Sequence, residues 1–264
     1  MQFPILLPNN KEIVIRTIVL KDLKYFSLLA STSLEQAIKF LESFIITKNL
    51  NVVEKLVALL TLREHCIDDA VSLTAEKGNI KMKTNYVINN IGDIQDIRES
   101  VSVNGANFTF NYPSQFNYGD SDSIFSIIES IEIGDEQIVI CELNSEEYSQ
   151  LLGSLPKELY NYIEDYVDRH MEQFVVRLWD SREQIGIEEM HLPILSQSLT
   201  SIISNLFNGN YKPAEYNQYI FRLCKRVPDP EFLNNSTLKE LDQYATLYQQ
   251  EVSQMSQDLK SQNK

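Results

Sequence analysis

The sequence predicts an α+β fold that is predominantly helical. It places a β-hairpin and helices at the N-terminus, a small antiparallel sheet in the centre, and helices through the C-terminal half. Three observations predict this. Apolar residues recur at helical spacing in the first sixty residues and again beyond Asn144. Between Asp69 and Leu143 the period shortens to two in several stretches. The breaks between these stretches hold the residues that hairpin turns and helix caps require.

The N-terminal elements come first. Residues 3–7 and 12–18 are apolar, β-branched runs separated by Pro8-Asn9-Asn10-Lys11. Proline presets φ and asparagine tolerates a left-handed backbone, so the segment is expected to form a β-hairpin. Leu20, Leu23, Phe26 and Leu29 then recur at helical spacing, as do Leu34, Ile38, Leu41 and Ile45, with Ser31-Thr32-Ser33 between them as a stop and an N-cap. A third helix carries Leu50, Val53, Val57 and Leu60 on one stripe, capped by Asn49 or Asn51.

From Asp69, Val71, Leu73 and Ala75 alternate with polar residues and face Ile80, Met82 and Thr84 across Lys77-Gly78-Asn79. A sharper hairpin joins Val101-Ser102-Val103 to Phe108-Thr109-Phe110 through Asn104-Gly105, because both central positions of a type I′ turn need positive φ. Residues 122–131 read as a short helix and Gln137–Leu143 as a strand.

Asn144 or Ser145, with Glu147 following, marks a capped helix that ends near Gly153. Pro156 sits in the first turn of a long helix with Leu159, Ile163, Tyr166, Val167 and Phe174 on one side. Residues 180–193 form a polar break with Gly186 and Pro193. Helical patterns return at 194–207, 213–226 and 236–260, separated by Asn208-Gly209-Asn210 and Val227-Pro228-Asp229-Pro230. The expected organisation is an N-terminal α+β unit over 1–113, an acidic segment with the long helix over 114–180, and a helical region over 186–264.

With 43% hydrophobic and 23% charged residues the chain has a globular composition. Its net charge of −14 argues against a protein held mainly by nucleic-acid phosphates or anionic lipid, which need clustered Lys and Arg. No apolar run approaches the length of a membrane-spanning helix, and Met1-Gln2-Phe3-Pro4 does not open a secretory signal. Neither nucleic acid nor membrane is therefore expected as a partner. Cys66, Cys141 and Cys224 are too widely spaced for a disulfide framework and suit a reducing compartment.

Charge is unevenly placed. Between Lys83 and Lys157 the one basic residue is Arg98, while the acids include Glu99, Glu129, Glu132, Asp135, Glu136, Glu142, Glu146 and Glu147. This stretch is either a solvated face or a docking surface for a basic partner. Asp120-Ser121-Asp122 opens like a calcium loop, but Ile124, Phe125 and Ile131 stand where that loop needs a ligand, a glycine and a bidentate Glu.

At the C-terminus, Leu238, Leu241, Ala245, Tyr248, Val252, Met255 and Leu259 follow one another at alternating spacings of three and four. This is a heptad seam. It either packs on its own domain or offers an apolar stripe to a partner helix; in the second case Leu238, Leu241, Tyr248, Val252, Met255 and Leu259 are the partner-binding candidates.

Chemical motifs are sparse. The glycines are never closer than 13 residues, so no phosphate-binding loop can be written from them. His65 adjoins Cys66, but His170 and His191 have no cysteine near in sequence, so no zinc pairing is evident. His65-Cys66 fits a helix-end histidine beside a packed cysteine, with a hydrolase built on the pair as the distant alternative. Catalytic residues, cofactors and metals are not expected.

The order of the pieces adds a resemblance. A hairpin written Leu6-Leu7-Pro8-Asn9-Asn10-Lys11-Glu12-Ile13-Val14-Ile15-Arg16 leads into the helical Lys21–Ala30, then Val52–Asp69 and the strand Asp69–Thr74. Ile127-Ile128-Glu129-Ser130-Ile131, Asn144-Ser145-Glu146-Glu147-Tyr148 and Leu155-Pro156-Lys157-Glu158-Leu159-Tyr160 follow in turn. Over roughly residues 3–175 this resembles the baseplate hub assembly proteins of T-even-type contractile-tailed phages. Some relatives carry a Cys-x-x-Cys where Glu76-Lys77-Gly78-Asn79 stands here, so no zinc is carried over. The resemblance implies a minor hub subunit or an assembly chaperone, with other hub or tail proteins as partners. It would act in the host cytoplasm during assembly or in the virion baseplate. The alternative is a helical adaptor or regulatory protein that binds a partner through its C-terminal heptad helix.

Overall fold

The computed structural model of the chain describes residues 1–22, 25, 32–68, 70–75, 78–83, 97–117, 125–170, 175–178, 188–191, 195, 200–201, 203–204, 207 and 230–262. Strands β1 (Gln2–Leu6) and β2 (Glu12–Arg16) pair antiparallel, with Gln2 opposite Arg16 and Leu6 opposite Glu12. Asn10, at φ 62°, supplies the left-handed residue of the turn. Residues 20–22 and 25 are helical; the remainder of the pattern Leu23, Phe26 and Leu29 lies outside the described residues.

Helix α1 (Leu34–Glu42) starts where expected, with the Ser33 side chain accepting from the Gln36 amide. It stops short of Ile45. The Phe44-Ile45-Ile46 segment runs along the free edge of β2 instead, with Arg16 N donating to Phe44 O at 2.7 Å and Ile46 N to Val14 O at 2.9 Å. Ile45 forms an antiparallel bridge with Ile15. Edge pairing therefore takes a residue that spacing assigned to the helix.

Helix α2 (Val52–Cys66) is the centre of the molecule. Asn51 caps it in a full capping box with Glu54. Val53, Val57 and Leu60 are buried as the stripe predicts, but so are Val52, Leu56, Ala58, Leu59 and Leu62. A helix with most of its residues buried has to be enclosed by neighbouring elements. β2, α1 and the C-terminal helix all contact it.

Strands β3 (Ala70–Ala75) and β4 (Gly78–Lys83) form the next hairpin, with Val71 opposite Met82 and Leu73 opposite Ile80 as the alternation predicts. The ladder closes at Ala75 and Gly78, one residue ahead of the expected turn. Strands β5 (Glu99–Val103), β6 (Ala106–Phe110), β7 (Ile128–Ile133) and β8 (Glu136–Val139) make an antiparallel sheet in that order. Asn104 and Gly105, at φ 52° and 82°, form the turn foreseen between β5 and β6.

The short helix read over 122–131 is corrected. Among the described residues of that stretch Phe125–Ile127 makes a single 3-10 turn and the chain then enters β7, while 122–124 lie outside the described residues. The spacing of Ile127, Ile128 and Ile131 is helix-like, yet Ile131 sits opposite Phe108 and Ile138, and Ile128 opposite Phe110. The long-range ladder overrides the local pattern. The strand read over Gln137–Leu143 is confined to β8 and followed by a 3-10 turn at Ile140–Glu142.

One face of the sheet carries Val103, Phe108, Phe110 and Ile131, all buried. Across the strands, Ser100 meets Thr109, Ser102 meets Asn107, and Asn107 reaches Glu132 through exposed hydrogen bonds.

Helix α3 (Ser145–Ser154) begins with Asn144 accepting from the Glu146 and Glu147 amides. Helix α4 (Lys157–His170) follows Pro156 and buries Leu159, Ile163 and Tyr166. The Tyr166 ring lies 5.3 Å from that of Phe110, and its hydroxyl donates to Ile97 O at 2.9 Å. Phe174 lies outside the described residues. The polar break over 180–193 is corrected in part, since Glu188–His191 is strand β10, paired antiparallel with β9 (Val175–Leu178). Residues 200, 201, 203, 204 and 207 are helical, while 213–226 lies outside the described residues. Helix α5 (Pro230–Asn235) starts on a proline inside the expected break, and α6 (Leu238–Gln262) closes the chain. One apolar core takes in side chains from Leu7 to Leu241.

The buried Glu54 carboxylate, 5% exposed, accepts from Lys11 Nζ at 2.9 Å and Asn9 Nδ2 at 3.0 Å. Replacing Glu54 with alanine removes the reciprocal half of the capping box and both hairpin contacts, and is expected to cost about 2 kcal/mol in urea unfolding. Lys11→Ala, at a side chain 39% exposed, is expected to cost about 1 kcal/mol. Equal losses would contradict the central place given to Glu54.

Candidate functional site

The basic residues of the Leu7-Pro8-Asn9-Asn10-Lys11 to Arg16 segment, Lys11 and Arg16, are engaged within the fold. Lys11 is the Glu54 partner. Arg16 bonds the Asp22 carboxylate at 3.1 Å and lies 4.2 Å over the Phe44 ring. Asp22 in turn accepts from the Val19 amide. Lys11 thus clamps the hairpin to α2, and Arg16 clamps it to Asp22 and Phe44.

His65 and Cys66 do not form a nucleophile–base pair. The His65 ring packs edge-on against Phe3 at 4.9 Å. Cys66 is buried, its sulfur accepts from the Ile18 amide at 3.3 Å, and burial pushes the thiol up to about 11. A thiol held protonated in this way is a poor nucleophile. His191 lies in β10, where side chains are outside the described residues. Among the described residues no group of three or more His, Cys, Asp and Glu is placed to hold a metal ion, and no helix is long and apolar enough to cross a membrane. One open groove of about 290 Å³ is lined by Glu42, Lys48, Lys55, Ser114, Gln115 and Cys141. Lys55 is held there by Glu42 and Ser114 O, both at 2.7 Å.

The acidic stretch divides into two populations. Glu132, Asp135, Glu136, Glu142, Glu146 and Glu147 are exposed along β7, β8 and the start of α3. Glu99 and Glu129 are in ion pairs. Glu129 falls at a bulge between β6 and β7 and binds Arg98 through both oxygens. Glu99, at the start of edge strand β5, accepts from Arg169 at 2.7 and 2.9 Å and pairs with His170 at 2.9 Å. The Arg169 hydrogen bonds, with His170 adding to them, hold the Glu99 carboxyl at about 2. Sequence inspection missed this latch because its members lie 70 and 71 positions apart.

The seam residues on α6 fall into two groups. Leu241 is fully buried and Leu238 packs half-buried on the core. Thr237 and Glu240 cap the helix reciprocally, Lys239 Nζ donates to Glu64 O at 3.1 Å, and Leu20 N donates to Ser236 O at 2.9 Å just before it. Tyr248 is half-buried, while Val252 and Met255 are 44% and 57% exposed. The side chains of Ala245 and Leu259 lie outside the described residues. Tyr244 and Leu247 are also exposed and add to the apolar surface.

A protein family described as T4 bacteriophage base plate protein matches residues 1–177. No curated protein and no solved structure matches the chain. The matched residues take in both hairpins, the four-stranded sheet and α1 to α4, and end within β9; α6 lies beyond them.

The Glu99 latch sets a pH dependence. The folded carboxyl sits near 2 against an ordinary 4.5, so its contribution is full above about 4.5 and is lost as pH falls towards 2. Wild type is expected to exceed Glu99→Gln by up to about 1 kcal/mol at pH 6, an exposed ion pair being screened by solvent, and by nothing near pH 2. Denaturant titrations across that range check it. A gap that widens on acidification would contradict the assignment.

Proposed function

The chain belongs to the T4 bacteriophage base plate protein family, and from that premise we propose that it serves in assembling the central hub of the baseplate. It does so through protein–protein contacts, either as a minor hub subunit or as a chaperone that leaves, first in the host cytoplasm and then at the baseplate. The family match supports a baseplate role. The observation that supports action by contact is the use of the motif's basic side chains: Lys11 and Arg16 are spent on Glu54 and Asp22, inside the fold. Among the described residues, surface open to other molecules includes the exposed acids of the β7–α3 region and the outer part of α6.

Tagged protein expressed during infection should co-purify with hub or tail proteins identified by mass spectrometry. Purified particles assayed the same way separate the two forms, since a subunit is found in them and a departing chaperone is not. Absence of every tail protein from the purification would refute the proposal.

A further inference from the structure

The seam on α6 changes character along one helix face. At Leu238 and Leu241 it is closed by the protein's own core; at Val252 and Met255 it is open, and Tyr244 broadens it at its border. From Leu241 to Met255 the helix advances about 21 Å. The open stripe is thus a direct continuation of an interface that is already buried, in the spacing that helix-on-helix packing uses.

The borders of the seam identify what covers it. With Leu238 and Leu241 as the first two core positions, the flanking residues whose side chains are described are Asp242, Tyr244, Gln249, Glu251 and Ser256. Two are acidic and none is basic. A second copy of this chain, in either orientation, supplies no basic border residue to Asp242 or Glu251, and it brings together two molecules of net charge −14. A helix with Lys or Arg at its own border positions complements both acids.

We propose that the part of α6 beyond Leu241 forms one strand of a coiled coil with an amphipathic helix of a different polypeptide. That helix carries Leu, Ile or Val at its core positions and Lys or Arg at its borders. The inference rests on the baseplate reading only for the expectation that the partner is another protein.

Two designed heptad peptides with Leu and Ile in the core, one bordered by Lys and one by Glu, provide the probes. By fluorescence anisotropy the full chain is expected to bind the Lys-bordered peptide about tenfold or more tightly than the Glu-bordered one. The double variant Val252→Glu, Met255→Glu should lose that binding with its thermal unfolding unchanged, because both side chains are exposed. Equal binding of the two peptides, no binding, or binding unaffected by the double variant would overturn the proposal. So would a chain that sediments as a dimer and becomes monomeric in that variant, since a second copy would then occupy the stripe. Failure of peptide binding while tail proteins still co-purify removes this inference and leaves the baseplate role standing. Selective peptide binding without any tail protein upholds the inference and removes that role.

Discussion

The burial of most of α2 is the constraint on which the rest of the structure depends. An enclosed helix must find partners for its first-turn amides without help from water, and here Asn51 and Glu54 supply them within the chain. That solution places a carboxylate in the interior, which is tolerable only if it is fully hydrogen-bonded. Lys11 and Asn9, from the β1–β2 turn, complete its shell. The hairpin is therefore fixed to the helix by an electrostatic need as much as by the packing of Ile13 and Ile15. The same hairpin offers its free edge to Phe44-Ile45-Ile46, which ends α1 and sets its direction.

The features legible in the sequence are those whose cause is local. Asn51 with Glu54, and Asn144 with Glu147, announce helix starts because the capping interaction spans three residues. Asn104-Gly105 announces its hairpin because the turn makes its demand on those two residues. Errors arise where distant partners decide. Ile128 and Ile131 have the spacing of a helix face, and β6 on one side with β8 on the other makes them a strand. The β9–β10 pair was hidden for the same reason, since Glu188-Glu189 has no strand character until Arg177 and Leu178 lie beside it. The stripe on α2 was read as one-sided because spacing shows which residues share a face, not how many faces will be covered.

The candidate site divides in the same way. The heptad seam is local and was visible from Leu238 to Leu259. Its partition into a buried base and an open extension depends on where the body of the protein ends, which no spacing records. The Glu99–Arg169–His170 latch was invisible because it joins the edge of a sheet to the end of a helix far along the chain. It also alters the meaning of the acidic stretch. Glu99 and Glu129 hold structure together, so the surface available to another molecule is carried by the acids from Glu132 to Glu147.

The two ends of α6 stand in a physical relation that favours recognition by its outer half. An isolated helix of a dozen residues, rich in Gln and Ser, is marginal in water because nucleation costs several fixed dihedrals for one hydrogen bond. Here the nucleus is supplied by the body: Thr237 and Glu240 cap the first turn, Leu241 seats it in the core, and Lys239 ties it to the end of α2. The outer turns then propagate from a start already made. A helix that docks on Val252 and Met255 meets a surface whose direction is set by α2, and loses less conformational entropy than it would on a free peptide. The enclosed helix that organises the fold thereby also aims the surface proposed here to receive a partner helix.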